Sequence, residues 1–439
     1  MDGLGGGVKH GLFLVRPLAG LHDITIFHTT FEGFTPDLLR EVYGFDLPGV
    51  RFETLDHPES LPRITRDFDL FLNIGYGSLA PAKARINVLL VFFPLPLDDA
   101  AESLPLSKRL AQNAQRFRSA LLELVDRLSP SLQQHSFAKI RSELGWNGAL
   151  LRLPLFAIRK FAWSGGNKYR LGYPALNDYT KILANSEYTS KWIRRYYRKE
   201  SEVSYPPIDI GQFTPGKKEP LMLSVGRFEP SRMSKRHDAL LEVFKELHAG
   251  GVLQGWRLVI CGGSDGSPEF ISTIQSLRRA AEGLPVSIEV NVPFSRLRDL
   301  YAASSIYLHA MGLDQDPDSS PWAFEHFGMT TVEAMAAGAV PFVFSGGGQT
   351  EIVTHGENGF LWKSRDELKL NIRGFLNMGD TAKSVLRERA RLRSLDFGEP
   401  AFYARTCGMY EEMGIRAAAP PVFHQDEQII YPAAVKPDL

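Results

Sequence analysis

The sequence predicts an α/β protein built on doubly wound parallel sheets, and three observations predict it. From Leu221 to Trp362, short apolar runs alternate with segments of helical period, the pattern of a parallel sheet with crossover helices. Glycines and polar residues gather just after those runs, where open sheets of this kind bind ligands. The chain has 439 residues, which favours two domains over one.

Taken in order, the N-terminal half is the less regular. Gly3-Leu4-Gly5-Gly6-Gly7 suits a ligand-facing turn, but such a turn normally follows a strand, and only Met1-Asp2 precedes it here. Its spacing also fails the dinucleotide fingerprint. The segment reads either as the start of a shortened chain, lacking its first strand, or as a flexible glycine end, and the second reading is preferred. Strands are predicted over Asp23–His28, Asp69–Asn73, Ile86–Phe93, Lys181–Asn185 and Val203–Tyr205, with residues 100–160 mostly helical. Tyr205-Pro206-Pro207-Ile208-Asp209 is a stiff, proline-marked connection. It closes a first domain at residues 1–207.

The second domain, residues 208–395, carries predicted strands at Leu221–Val225, Arg257–Cys261, Ser287–Val292, Ile306–His309, Val340–Phe344 and Gly359–Trp362. Predicted helices fall near His237–His248, Pro268–Ala281, Ser295–Ala303, Thr331–Ala337 and Gln349–Thr354. A last helix is expected within residues 396–416. The Ala- and Pro-rich remainder, residues 417–439, reads as loosely held.

Composition excludes several classes. The formal net charge is zero, so bulk charge offers nothing to nucleic acid. Two cysteines, Cys261 and Cys407, make no disulfide framework and suit a reducing compartment. No apolar run reaches the roughly 18 residues of a membrane span, and the first residues lack the charged start and apolar core of a signal peptide. A cytoplasmic protein is expected.

The segment Glu325-His326-Phe327-Gly328-Met329-Thr330-Thr331-Val332-Glu333 is the richest in chemistry. Two carboxylates stand eight positions apart across a glycine, one in a loop and one in the small-residue helix that follows. A loop entering a helix this way can aim backbone N–H groups and a positive dipole end at a phosphate. A structural reading competes: Thr330 and Glu333 fit a capping box, with Thr331 a further candidate cap. Arg227 and Lys235, near the end of a strand, suit a nucleotide diphosphate, the first as a fork and the second as a point charge. A solvated basic loop is the bland alternative, since Arg232 and Arg236 lie beside them.

Four elements together resemble the retaining glycosyltransferases of the family 4 type, with the two-Rossmann GT-B architecture. Ser224-Val225-Gly226-Arg227-Phe228 with Lys235 is similar to the family's strand, Gly-Arg turn and lysine. Leu258-Val259-Ile260-Cys261-Gly262-Gly263 is similar to its second strand and turn. Glu325 to Glu333-Ala334 resembles its pair of glutamates, and Pro341 to Glu351 its next strand, glycine turn and helix start. The resemblance runs through Leu221–Trp362 and is weaker in the first half, where Asn185-Ser186-Glu187-Tyr188 and Tyr205-Pro206-Pro207 carry it.

The resemblance implies two domains facing a cleft, with the last helix, about Glu399 to Met413, crossing back onto the first. It implies that the second domain holds a nucleotide-diphosphate sugar such as a UDP- or GDP-sugar, with no other cofactor and no metal. Glu325, Arg227 and Lys235 would carry the chemistry. Glu333, Gly328, Met329, Thr330, Gly226, Gly262 and Asn291 would hold the donor, Glu333 through its ribose. The acceptor would be a glycan or a lipid-linked sugar, and the product a surface polysaccharide or glycoconjugate. A non-catalytic nucleotide-sugar-binding protein is the rival reading, and another GT-B enzyme such as an epimerase a weaker one.

Some residues stay outside this scheme. His309 and His326 could each contact substrate, but the structural reading is preferred, with His326 close behind the site; His28 could face the acceptor, and its reading as an ordinary strand-end histidine is preferred. The basic, aromatic stretch Lys191–Lys199 reads as a solvated helix with Trp192 and Tyr196 inward, or as peripheral contact with the inner face of a membrane. Leu151 to Trp163 is a second candidate for such contact. Asp314-Gln315-Asp316-Pro317-Asp318 lacks the spacing of a calcium loop and reads as a flexible acidic loop over the cleft.

Overall fold

The computed structural model of the chain describes residues 6–28, 37, 39, 47–55, 60–74, 79–95, 173–230 and 233–418. The expectations for Gly3–Gly5, for residues 100–160, for Leu151–Trp163 and for the tail beyond residue 418 lie outside these residues, as do Ser231 and Arg232.

The chain enters on a helix, α1 (Gly6–Val15), whose Leu12, Phe13 and Leu14 are buried. Gly6 and Gly7 open this helix and form no turn. A Cβ on Gly6 would stand 2.6 Å from Met329 Sδ, and one on Gly11 2.5 Å from Ile74 Cδ1. Two of these glycines therefore serve close packing, not flexibility.

The first domain holds a two-stranded parallel sheet, β1 (Thr25–His28) with β2 (Arg51–Thr54). Beside it lies a four-stranded parallel sheet of order β3 (Leu70–Asn73), β4 (Ile86–Val91), β5 (Lys181–Ala184) and β6 (Glu202–Val203). Strand β2 was not expected from the sequence: Arg-Phe-Glu-Thr is short, polar and mostly exposed, so no apolar run announces it. Helix α2 (Glu187–Tyr197) follows β5; Ser186 caps it, accepting from Thr189 N at 3.0 Å.

The second domain is one six-stranded parallel sheet. Its strands are β7 (Glu219–Val225), β8 (Arg257–Gly262), β9 (Val286–Val290), β10 (Ser304–His309), β11 (Val340–Phe344) and β12 (Phe360–Trp362). Their spatial order is β12-β11-β10-β7-β8-β9. The strands advance one way from β7 and the other way from β10, so the sheet has its topological switch point between these two. The C-terminal ends there form the crevice in which doubly wound sheets bind ligands. One apolar core covers each face, the first built with Leu240, Phe244 and Trp362, the second with Tyr301, Tyr307, Val332 and Phe397.

The crossover helices are α3 (His237–Ala249), α4 (Pro268–Ala280), α5 (Phe294–Ala303), α6 (Met329–Ala336) and α7 (Gln349–Ile352). Helices α8 (Arg365–Leu376) and α9 (Asp380–Ser394) then lead to α10 (Glu399–Glu412). Helix α10 does cross back. Its Phe402, Tyr403, Met409 and Tyr410 are buried with Leu12, Phe13, Val88 and Leu183 of the first domain. The Tyr410 hydroxyl donates to Leu14 O at 2.7 Å. The two passages between domains touch: Ile208 N donates to Phe397 O at 3.1 Å, and Glu399 N to Ile208 O at 3.1 Å.

Candidate functional site

The switch-point crevice brings Lys235, Glu325 and His309 into direct contact. Lys235 Nζ lies 2.6 Å from Glu325 Oε2, and His309 Nε2 donates to the same oxygen at 2.8 Å. His309 is the last residue of β10, a strand buried throughout, so its ring is fixed in the core. Lys235 reaches Glu325 by lying along Gly226, where a Cβ would stand 2.6 Å from Lys235 Cγ. Both donors converge on Oε2, and no protein hydrogen bond to Oε1 is described.

These contacts decide the charges. Burial alone would raise the Glu325 carboxyl, but the Lys235 ammonium and the His309 hydrogen bond outweigh it and hold it well below the usual range. Burial lowers the His309 imidazole more than Glu325 raises it, so His309 is neutral and carries its proton on Nε2. Sequence reasoning noted His309 at a strand's C-terminal end, where such sheets bind ligands, but preferred a structural role for it.

Glu333 is treated differently. It sits on α6, where burial raises its carboxyl, offset by the Tyr301 hydroxyl and by Lys9 of the first domain. Tyr301 OH donates to Glu333 Oε2 at 2.8 Å. The capping box is absent: Gly328, at φ 122, is the N-cap, and no side chain caps the helix. That φ is open to glycine and strained for other residues, so Gly328 lets the chain turn sharply from the Glu325 loop into α6. Thr330 faces inward instead, its Oγ1 accepting from Tyr307 OH at 2.7 Å. Met329 packs toward Gly6 of the first domain.

Other expected residues make contacts within the scaffold. A Cβ on Gly262 would fall 1.8 Å from Gly226 O, so this glycine lets the two strand-end turns touch. Asn291, at φ 50, accepts from Ser264 N at 2.9 Å and donates to Ser264 O at 3.0 Å, pinning the loop after β8. Arg227 does not join Lys235: its side chain is 66% exposed and pairs with Glu229 at 3.0 Å. It is thus a cation at the crevice mouth, free to turn. His326 stacks face to face on Phe93 of the first domain, ring centroids 4.4 Å apart. Burial pushes its imidazole down to about 4, so it too is neutral. Trp192 of the basic helix is buried, and Tyr196 is half-buried beside it.

The acidic loop, expected to be flexible, makes three ion pairs. Arg236 and Arg365 grip Asp314 at 3.2 and 3.0 Å, and Arg195 of the first domain meets Asp318 at 2.7 Å. Runs of acids read as mobile when their partners are distant in sequence, as these are. Among the described residues, no group of three acidic, histidine or cysteine side chains is placed to hold a metal ion. None of the described helices is long and apolar enough to cross a membrane.

Residues 208–393 match the family model described as glycosyl transferases group 1. The chain is 28% identical over 244 residues to the human GDP-Man:Man(3)GlcNAc(2)-PP-Dol alpha-1,2-mannosyltransferase, across 50% of this chain and 46% of that protein. The Xenopus laevis protein of the same name is 27% identical over 301 residues, 64% of this chain and 57% of its own length. The chain thus spans about half the length of the curated relatives it matches. Among solved structures, Anabaena HepE in complex with UDP-glucose aligns with a TM-score of 0.57 at 15% identity, over 94% of this chain and 98% of that one. A glycosyltransferase from Rickettsia africae aligns at 0.59 and 14% identity, over 93% and 95%. At such identities it is the fold that is shared, and that fold is GT-B.

Proposed function

We propose, for a chain whose residues 208–393 belong to the glycosyl transferases group 1 family, that it transfers a sugar from a nucleotide-diphosphate sugar to an acceptor hydroxyl with retention of anomeric configuration. The observation that carries this reading is the ionised Glu325 held by Lys235 and His309 at the sheet's switch point. The mannosyltransferase names of the relatives support GDP-mannose as donor and a lipid pyrophosphate oligosaccharide as acceptor. A lipid-borne acceptor would bring the enzyme to the cytoplasmic face of a membrane. The exposed Lys191, Arg194 and Arg195 of α2 lie on the first domain, which in this reading faces the acceptor.

In the proposed step, the bond from the anomeric carbon to the β-phosphate oxygen breaks, and the acceptor oxygen bonds that carbon on the same face. The acceptor's proton passes to the departing phosphate. Lys235 and Arg227 would neutralise the leaving charge, Lys235 sharing its three protons between Glu325 and phosphate. Amides at the start of α6 add a fixed positive end. Glu325 would accept a sugar hydroxyl through Oε1 and favour positive charge at the anomeric carbon. Glu333, with Lys9 across the cleft, would take the ribose hydroxyls.

The test is a thermal-shift panel of UDP-, GDP- and ADP-sugars, then transfer to a lipid pyrophosphate oligosaccharide and NMR of the product anomer. GDP-mannose should stabilise the protein most and yield an α-linked product. Stabilisation by UDP-sugars alone would reject the donor assignment, and a β-linked product the retaining mechanism.

A further inference from the structure

We propose that Glu351 is a positioning residue that latches the C-terminal domain onto the first and, through one glycine turn, sets where the Glu325 loop stands between them. Both of its carboxylate oxygens are spent on the opposite domain. Oε2 accepts from Glu187 N at 2.8 Å and Oε1 from Tyr188 N at 2.7 Å. These are the first two amides of α2, which have no partner within their own helix. A carboxylate there also meets the positive end of the helix dipole. The contact is made across a cleft, so it exists only while the domains are together. Once they part, both sides are left to water.

Three further contacts connect this latch to the site. The hydroxyl of Tyr205, a residue of the connection between domains, interacts with the Glu351 carboxylate, while its ring packs on Phe327 with centroids 5.4 Å apart. Gly348, three residues before Glu351, donates its N–H to Glu325 O at 2.8 Å. On the other side of that loop, Phe93 of the first domain stacks on His326. The Glu325 loop is therefore clasped between a turn that ends in the latch and a ring that belongs to the facing domain. Arg393 donates to Glu351 O at 2.6 Å and fixes the backbone of the latch. The neighbouring ion pair, Arg195 to Asp318, is more than half exposed on both sides and holds little by comparison.

The inference rests on the transferase reading only for its effect on sugar transfer; the closure itself does not. Glu351→Ala should raise the radius of gyration in solution scattering and speed hydrogen exchange at the Glu187 and Tyr188 amides. The thermal shift given by GDP should persist, with kcat for transfer falling roughly tenfold and the donor KM staying within about twofold. A scattering curve and amide protection identical to wild type would overturn the proposal, whatever transfer does. Should Glu351→Ala fail to fold, Tyr205→Phe removes a single hydroxyl and is read by the same two measurements. If wild type transfers nothing from any donor, the function proposed above fails while the scattering result still decides the latch.

Discussion

Glu325 is the residue on which most of the proposed chemistry turns. Glu325→Gln keeps the shape but removes the charge that would face the anomeric carbon, so transfer should fall by roughly 100-fold or more with little change in melting temperature. Lys235→Met tests the charge balance directly. The Lys235 ammonium helps hold the Glu325 carboxyl well below its usual range. Without it that value rises, so the acidic limb of the kcat/KM profile should move to higher pH; a limb that stays in place would show that Lys235 does not control Glu325. The sequence disclosed Glu325, Lys235 and Glu333 because they stand at marked spacings around glycines and strand ends. It marked His309 only by its strand-end place and gave no sign of Tyr301 or Tyr307; the partners of all three lie 16 to 32 positions away and meet only after the sheet forms. Arg227 shows the converse: its position drew attention, yet the side chain lies outward against Glu229.

Among the elements, the sheet of the second domain was legible almost strand by strand, because buried parallel strands are continuous apolar runs. The first domain was harder to read. Strand β2 is exposed and polar, and α1 is built on glycines whose purpose, close approach to Met329 and Ile74, is visible only in three dimensions. Helix α2 shows what amphipathic patterning does settle: Trp192 and Ile193 are buried while Lys191 and Arg194 face outward. The loop after β8 offers a test of an element's fixings. Asn291→Ala removes both hydrogen bonds to Ser264 and leaves at φ 50 an alanine, which tolerates the left-handed region less well than asparagine does. It should cost about 2 kcal/mol in denaturant titration, and nucleotide affinity should fall with it if this loop borders the base.

For the whole molecule, acid should weaken the fold through its buried histidines. Burial pushes His10 down to about 3 and His237 down to about 4. The unfolded chain takes up these protons near pH 6.5, whereas the folded one refuses them, so stability is full above that pH and declines as pH falls toward 4. Each site contributes on the order of 3 kcal/mol to the decline. Denaturant midpoints measured from pH 7.5 to 4.5 should fall accordingly, and His10→Leu should flatten the part that belongs to the first domain. Deleting α10 would uncover the apolar surface under Phe402, Tyr403 and Tyr410, so the shortened chain should aggregate or lose its first domain to proteolysis while residues 208–393 resist. One consequence follows from the paired passages at Ile208 and Phe397. Two strands of chain bonded side by side bend readily about a line across them but resist twisting, as a strip hinge does. The halves can then swing apart and return along a single arc, with a separated and a joined form exchanging in one relaxation step.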